Sequence, residues 1–246
     1  MKGVILAGGS GTRLYPLTRI TNKHLLPIYD RPMVSYAIEA LVKAHVTELM
    51  VVTGGTHAGE FLRLLGSGQD HGIGRLVYAY QERPGGIAEA LGLARHFAED
   101  DHVVVILADN ILERSLAPAV GNFLAQEKGA RILLSRVDDG PHLRHLGVPE
   151  FDGDRVVRIY EKPEQPPSPF AVTGVYFYDG GVFDVIATLE PSGRGELEIT
   201  DVNNWYVAEG LMQWEVIDGF WGDAGESIDA YYAVNDFVRA HGANKD

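Results

Sequence analysis

The chain has 246 residues, no cysteine and a formal net charge of −13 at pH 7. The absence of cysteine excludes disulfides, thiolate metal sites and a cysteine nucleophile. No block rich in lysine and arginine is present, so a nucleic-acid partner is not expected. No apolar run approaches the roughly 20 residues that span a bilayer, and no secretory signal is visible, so we expect a cytoplasmic protein that does not enter a membrane.

The first half of the chain alternates strand-like and helix-like segments. The strand-like runs are largely apolar, without alternation, over residues 3–6, 49–53, 76–80, 102–107 and 131–135. Apolar spacing or composition predicts helices over residues 33–45, 60–65, 87–97 and 120–128. This order is typical of a mostly parallel sheet with helices on both faces. We therefore predict a three-layer, Rossmann-like α/β fold that binds its ligands at the carboxyl ends of the strands.

The pattern changes after about residue 147. Residues 155–160 and 171–178 are predicted to be strands of the half-exposed kind, and a cluster of prolines predicts a stiff loop between them. Further helices are predicted over 182–189, 199–209 and 228–240, and a further strand over 214–217. No internal repeat or linker is visible, so we predict a single domain over residues 1–246.

A glycine-rich stretch follows the first predicted strand directly, with Gly8, Gly9, Ser10, Gly11, Thr12 and Arg13 in succession. Glycines at this position let the backbone approach a ligand closely and point N–H groups at an anion. Two familiar phosphate loops do not match. A P-loop needs lysine and then serine or threonine after its last glycine, and a dinucleotide loop needs glycine where Leu14 stands. The alternatives are a phosphate cradle of another kind, in which Arg13 holds phosphate oxygens bidentately, or a tight turn without a ligand.

Two aspartates stand where a metal ion would be useful. Asp109 follows an apolar strand, where an unpaired carboxylate is costly to desolvate. Asp223 has small neighbours, which leave room for a ligand. Mg²⁺ usually takes one or two carboxylates together with substrate phosphates, so the pair fits that ion. The alternative for both aspartates is that they only cap local structure. Lys23 is a mobile point charge that could follow a phosphate. The alternative for Lys23 and for Arg13 is an ordinary cation at the surface.

Longer stretches carry a resemblance to a known family. Residues 8–18 (GGSGTRLYPLT) and 22–33 (NKHLLPIYDRPM) resemble the signature of the nucleoside-diphosphate-sugar pyrophosphorylases. The similarity continues through residues 81–90, 107–110, 160–163, 171–178, 194–203 and 221–225. The resemblance implies the nucleotide-diphospho-sugar transferase fold, with residues 1–110 mainly binding the nucleotide and residues 111–246 mainly binding the sugar.

The resemblance also implies a role for individual residues. Arg13, Lys23 and Lys162 are the expected catalytic cations, and Asp109 and Asp223 are the expected ligands of Mg²⁺. The expected nucleotide-binding residues are Leu6, Gly8, Gly9, Ser10, Gly11, Thr12, Arg13, Gln81 and Gly86. The expected sugar-phosphate-binding residues are Asn110, Gly147, Glu161, Lys162, Val172 and Arg194.

Within the family, the sequence looks most like the members that join dTTP to glucose-1-phosphate and release pyrophosphate. In that reaction the sugar phosphate, already an anion, attacks the α-phosphorus in line, so no general base is expected. UTP, or another hexose-1-phosphate, remains the alternative substrate, because residues 82–85 depart from the usual composition. A catalytically inactive subunit that binds nucleotide sugars is a further alternative. A homo-oligomer is possible, but the chain stops soon after Gly242, so the tetramer and regulatory site of longer members are not carried over.

Overall fold

The structure is a computed structural model, and it describes residues 1–9, 11–138 and 140–246. The strands are β1 (Lys2–Leu6), β2 (Pro27–Ile28), β3 (Arg31–Pro32), β4 (Glu48–Gly54), β5 (Arg75–Gln81), β6 (Val103–Leu107), β7 (Asn110–Leu112), β8 (Ala130–Arg136), β9 (Gly147–Asp152), β10 (Arg155–Glu161), β11 (Phe170–Tyr178), β12 (Met212–Val216) and β13 (Trp221–Asp223). The helices are α1 (Val34–Lys43), α2 (Ala58–Leu65), α3 (Ile87–Gly92), α4 (Arg95–Ala98), α5 (Ala117–Leu124), α6 (Gly140–Leu143), α7 (Val182–Ala187), α8 (Ile199–Ala208) and α9 (Ile228–His241).

A seven-stranded sheet forms the centre of the molecule, in the order β12-β8-β11-β6-β1-β4-β5. Neighbouring strands are parallel except at β11, which runs antiparallel to both β6 and β8. The prediction of a mostly parallel sheet is confirmed. Because β1, β4, β5 and β6 share one direction, their carboxyl ends meet at one edge of the sheet, where ligands of such folds bind.

Helices cover both faces of this sheet. Successive residues of a strand point to opposite faces, so Val4 and Leu6 lie in one hydrophobic core, and Ile5 and Ala7 lie in the other. The first core is closed by α3, α4, α7 and α8, and the second by α1, α2 and α5. This explains why the strands are apolar throughout, and it confirms the predicted three layers.

Three predicted elements differ from the structure. Residues 171–178 are buried rather than half-exposed, because β11 lies between β6 and β8 in the central sheet. The helix predicted over 87–97 is two helices, α3 and α4, and the first ends at Gly92, a poor helix former. The helix predicted over 120–128 instead spans Ala117–Leu124, with Pro118 in its first turn, where no N–H partner is needed.

A third hydrophobic core fixes the segment after the glycine loop. It joins Leu14, Ile28 and Met33 to side chains of α9, among them Tyr231 and Val234. The Tyr231 hydroxyl also donates a hydrogen bond to the carbonyl oxygen of Pro27. The last helix of the chain therefore holds the loop that follows the first strand. None of the helices in the described ranges has the length and apolar character needed to cross a bilayer.

Candidate active site

The glycine-rich loop lies at the carboxyl end of β1, as predicted, and Leu6 is the last residue of that strand. Gly9 and Gly11 have φ values of 100° and 63°, which residues with a side chain rarely adopt. The carbonyl oxygen of Gly11 accepts hydrogen bonds from the hydroxyl of Thr18 at 2.8 Å and from the N–H of Leu14 at 3.1 Å. These bonds fix the turn that leads into Thr12–Leu14, a short 3₁₀ helix. Ser10, a predicted nucleotide-binding residue, lies outside the described residues.

Lys23 and Asp109 form a buried ion pair at the carboxyl end of β6. The Lys23 ammonium contacts Oδ2 of Asp109, and the two side chains are only 12 % and 8 % exposed. Burial opposes ionisation of Asp109, but the charge of Lys23 and the His24 imidazole outweigh it and hold the pKa of Asp109 well below its usual range. Burial lowers the pKa of His24, whose Nε2 lies 3.9 Å from the same oxygen. Asp109 is therefore an anion that depends on a nearby cation.

Asp223 is brought to Asp109 by the short strand pair β7 and β13. Asp223 lies opposite Asn110 in this pair, and the N–H of Ala224 donates to the carbonyl oxygen of Asp109 at 2.9 Å. Burial and the charge of Asp109 raise the pKa of Asp223 to about 7. A side chain at Gly225 would collide with both Asp109 and Lys23, so the space between the carboxylates requires glycine.

This donor set fits a divalent cation. The carboxylates of Asp109, which is buried, and Asp223, which is half-buried, repel each other, and a cation between them would favour the ionised form of Asp223. In the described ranges no group of three or more His, Cys, Asp or Glu side chains could hold a metal ion. A hard divalent cation can be held by one or two carboxylates, because water and substrate phosphates complete its shell.

A cavity of about 150 Å³ opens beside this pair. Most of the residues predicted to bind the sugar phosphate line it: Asn110, Gly147, Glu161, Lys162 and Val172. Arg13 and Asp223 line the same cavity. The cation of the glycine loop, one candidate metal ligand and the predicted sugar-phosphate residues therefore open onto one space.

The polar side chains that line the cavity are held by hydrogen bonds. Oε2 of Glu161 accepts a hydrogen bond from the Thr200 hydroxyl at 2.8 Å, and Oε1 of Glu161 lies 3.1 Å from the Lys162 ammonium. The side-chain oxygen of Asn110 accepts from the N–H of Gly174 at 2.8 Å and from the Trp221 indole at 2.6 Å. Asn110 therefore ties β7 to β11 and β13 as well as lining the cavity.

Arg194 is the predicted sugar-phosphate residue that is absent from the cavity wall. It pairs with Glu198 at 2.9 Å, and its side chain is half-exposed. Its guanidinium lies 4.0 Å from Oε1 of Glu161, which places it beside the cavity but not in it. Eleven lining residues received no individual role from the sequence. Eight of them lie in the stretches that carry the family resemblance: Ile87, Leu107, Gly174, Tyr176, Ile199, Thr200, Asn203 and Trp221. The other three, which lie outside those stretches, are His145, Leu146 and Ile159.

The predicted base-reading residues lie at the carboxyl end of β5. Gln81 is the last residue of that strand, and its Oε1 lies 3.2 Å from the position that a Cβ on Gly8 would take. Gly86 precedes α3 with a φ of 99°, and a side chain there would collide with the carbonyl oxygen of Leu197. Gln81 is therefore next to the glycine loop, and Gly86 is required by the close passage of another segment.

A Rossmann-like sheet with a glycine loop, two neighbouring aspartates and a cation-lined cavity at one edge defines the nucleotidyltransferase class. The family model described as nucleotidyl transferase matches residues 2–241, and the chain belongs to this family. It is 43 % identical over 239 residues to the glucose-1-phosphate thymidylyltransferase of Neisseria gonorrhoeae, covering 96 % of this chain and 82 % of that one. It is 41 % identical to the enzyme of that name from an Actinoplanes species, over 98 % of this chain and 78 % of the relative.

Solved structures agree with this assignment. A Bacillus anthracis protein assigned as a glucose-1-phosphate thymidylyltransferase, solved with sucrose, superposes with a TM-score of 0.92 and 45 % identity. The match covers 97 % of this chain and 95 % of that chain. A UDP-glucose pyrophosphorylase in complex with UDP-glucose superposes with a TM-score of 0.83 over 97 % of this chain and 98 % of that chain, but at 22 % identity. The second likeness shows a shared fold alone.

Proposed function

We propose that the protein transfers a thymidylyl group from dTTP to glucose-1-phosphate, giving dTDP-glucose and pyrophosphate. The observation that carries the proposal is the convergence of Arg13, Asp223, Glu161 and Lys162 on one cavity beside the buried Asp109. The relatives described above are named for this activity, and their similarity extends over nearly the whole of this chain. A transfer between two phosphates needs cations at both substrates, and Arg13 and Lys162 both line this cavity.

The nucleotide side of the reaction belongs to the glycine loop and Lys23. Arg13 offers a planar guanidinium that binds phosphate oxygens in pairs, and the loop amides bind further oxygens of the leaving pyrophosphate. Lys23 is a compact ammonium on a flexible stem, close to the loop that contains Gly11. We propose that Lys23 leaves Asp109 for the α-phosphate when the nucleotide binds, which stabilises the charge that develops during transfer.

Asp109 and Asp223 are the proposed ligands of Mg²⁺. The ion would neutralise phosphate charge and bring the two substrates together, which is the usual contribution of such a metal to phosphoryl chemistry. The protein's own part is to keep two carboxylates and no bulky side chain at this point, as Gly225 ensures. The release of Lys23 from Asp109 would then free a carboxylate oxygen for the ion.

The sugar phosphate is proposed to lie between Lys162 and Glu161. Lys162 neutralises the phosphate, and Glu161, oriented by Thr200, accepts hydrogen bonds from sugar hydroxyls. Arg194 approaches from the half-exposed rim and adds a second cation. Because the phosphate oxygen is already an anion, catalysis requires alignment and charge neutralisation and no general base. Residues 1–110 thus supply mainly the nucleotide side, and residues 111–246 mainly the sugar side.

The test is pyrophosphate release with glucose-1-phosphate, Mg²⁺ and each of dTTP, UTP, CTP and ATP in turn. We expect turnover with dTTP, and a preference for UTP instead would replace the thymidylyl assignment by a uridylyl one. Arg13→Ala and Asp223→Asn should each lower kcat by about 100-fold or more, by comparison with a lost oxyanion donor. Arg19→Ala is the matched control, because Arg19 is an exposed arginine near the loop without a hydrogen bond to any described side chain. Wild-type rates in Arg13→Ala or Asp223→Asn would refute the proposed function.

A further inference from the structure

We infer that Glu89, paired with Arg83, fixes the orientation of the Gln81 side-chain amide and so makes the site select pyrimidines that carry an imino N–H. Glu89 would act through Gln81 as a positioning residue, and Arg83 would occupy the other oxygen of the Glu89 carboxylate. The inference rests on the proposed function, because it concerns how the same site chooses its nucleotide.

The side-chain nitrogen of Gln81 faces two groups that only accept hydrogen bonds. Nε2 of Gln81 lies 3.1 Å from Oε1 of Glu89 and 3.3 Å from the carbonyl oxygen of Gly86. A carboxylate and a backbone carbonyl have no hydrogen to donate. The opposite orientation would set the Gln81 oxygen against two other oxygens, so the nitrogen must face Glu89 and Gly86.

The oxygen of the same amide therefore faces the nucleotide side. Oε1 of Gln81 lies against the glycine loop, 3.2 Å from where a Cβ on Gly8 would stand. This presents a fixed hydrogen-bond acceptor to the base. Thymine and uracil offer an N3–H donor at the centre of their pairing edge, whereas cytosine offers an unprotonated N3, which is an acceptor. A fixed acceptor on the protein thus favours thymine and uracil over cytosine, because two facing acceptors are left without partners.

The two oxygens of the Glu89 carboxylate have different partners. Nη2 of Arg83 lies 2.7 Å from Oε2 of Glu89, so one carboxylate oxygen binds the guanidinium and the other binds Gln81. Arg83 is largely exposed, whereas the Glu89 side chain is mostly covered. Gly85 permits this arrangement, because a side chain there would collide with the Glu89 carboxylate.

Because the two oxygens of Glu89 have different partners, replacing the carboxylate by an amide of the same shape has a predictable effect on Gln81. In Glu89→Gln the single remaining oxygen goes to the charged guanidinium of Arg83, since charge-assisted hydrogen bonds are the stronger ones. The new NH₂ group then faces the NH₂ group of Gln81, and Gln81 relieves this by turning over. Its nitrogen would then point at the base, which favours cytosine. The Gly86 carbonyl opposes the turn, so a mixture of orientations is expected.

The experiment compares dTTP with 5-methyl-dCTP as substrates with glucose-1-phosphate, because these nucleotides differ only at the pairing edge of the base. We expect the ratio of their kcat/KM values to fall by about tenfold or more in Glu89→Gln, the equivalent of one hydrogen bond exchanged for a clash. Arg83→Met should keep the wild-type ratio, because Glu89 still accepts from Gln81. The double variant Arg83→Met/Glu89→Gln should recover most of the ratio, because the introduced amide can turn its oxygen to Gln81.

Glu127→Gln is the control, since Glu127 is exposed and has no hydrogen bond or ion pair with any described residue. A merely structural role for Glu89 would lower kcat/KM for both nucleotides alike and leave their ratio unchanged, which would overturn the inference. A double variant as unselective as Glu89→Gln would also overturn it. If the wild-type protein used neither nucleotide, the proposed function itself would fail, which is a different result from an active protein with an unmoved ratio.

Discussion

The buried pair of Lys23 and Asp109 makes the fold depend on a cation, and Lys23→Met tests this directly. Methionine keeps most of the volume of the lysine side chain and removes its charge. Both side chains are at most 12 % exposed, and losing one partner of a buried pair typically costs about 3–5 kcal/mol. The side-chain NH₂ group of Asn110 still donates a hydrogen bond to Oδ1 of Asp109 at 3.1 Å, so we expect the lower end, about 3 kcal/mol. For a protein of this size that corresponds to a melting temperature lower by about 10 °C.

The assay is urea and thermal unfolding of the wild type and of Lys23→Met, first with EDTA and then with Mg²⁺. We expect Mg²⁺ to raise the melting temperature of Lys23→Met more than that of the wild type, because the ion replaces the missing ammonium beside Asp109. Lys128→Met is the matched control, because Lys128 is exposed and its side chain has no hydrogen bond or ion pair with any described residue, so the loss should be less than about 1 kcal/mol. A loss in Lys23→Met no larger than in this control would refute the reasoning that burial makes Asp109 need its partner.

Two further predictions concern stability. Gly86→Ala should lower the free energy of unfolding by at least about 2 kcal/mol, because a φ of 99° strains alanine and its Cβ would meet the Leu197 carbonyl oxygen. Gly59→Ala, in open space within α2, should instead be neutral or slightly stabilising in the same urea titration, and equal losses in both variants would contradict this account. Asn204→Leu should cost about 2 kcal/mol, because the Asn204 amide bonds both the N–H and the carbonyl oxygen of Ile159, at 2.8 and 2.9 Å. An unchanged urea midpoint in Asn204→Leu would show that these bonds do not hold α8 to β10.

The parts of the fold that the sequence predicts are those governed by local pattern. Residues 102–107 could be recognised as a buried strand because every position of β6 packs into a core on one face of the sheet or the other. The burial of β11 could not be recognised, because it follows from insertion between β6 and β8, two strands that are distant in sequence. The boundary of α5 depended on Pro118, which is as compatible with the first turn of a helix as with a loop.

In the candidate site, too, the sequence predicts the residues with a local signal but not the contacts between distant segments. Asp109 stood out because it follows an apolar strand, and Arg13 because it ends a glycine loop. The contact between Asp109 and the segment of Asp223 depends on the pairing of β7 with β13, strands too short to show a pattern of their own. The contact of Gln81 with Glu89 was equally invisible, because a glutamate in the first turn of a helix is most simply explained as a favourable charge there.

In the proposed reaction, the protein breaks the bond between the α- and β-phosphates of dTTP and joins the α-phosphate to the sugar phosphate. The most direct measurement uses dTTP radiolabelled at the α-phosphorus, with glucose-1-phosphate and Mg²⁺, and separates the products. We expect the label to appear in dTDP-glucose, in an amount equal to the pyrophosphate released, and to disappear from the product in Asp223→Asn. Label that stays in dTTP, or that appears in dTDP with release of inorganic phosphate, would contradict nucleotidyl transfer by this site.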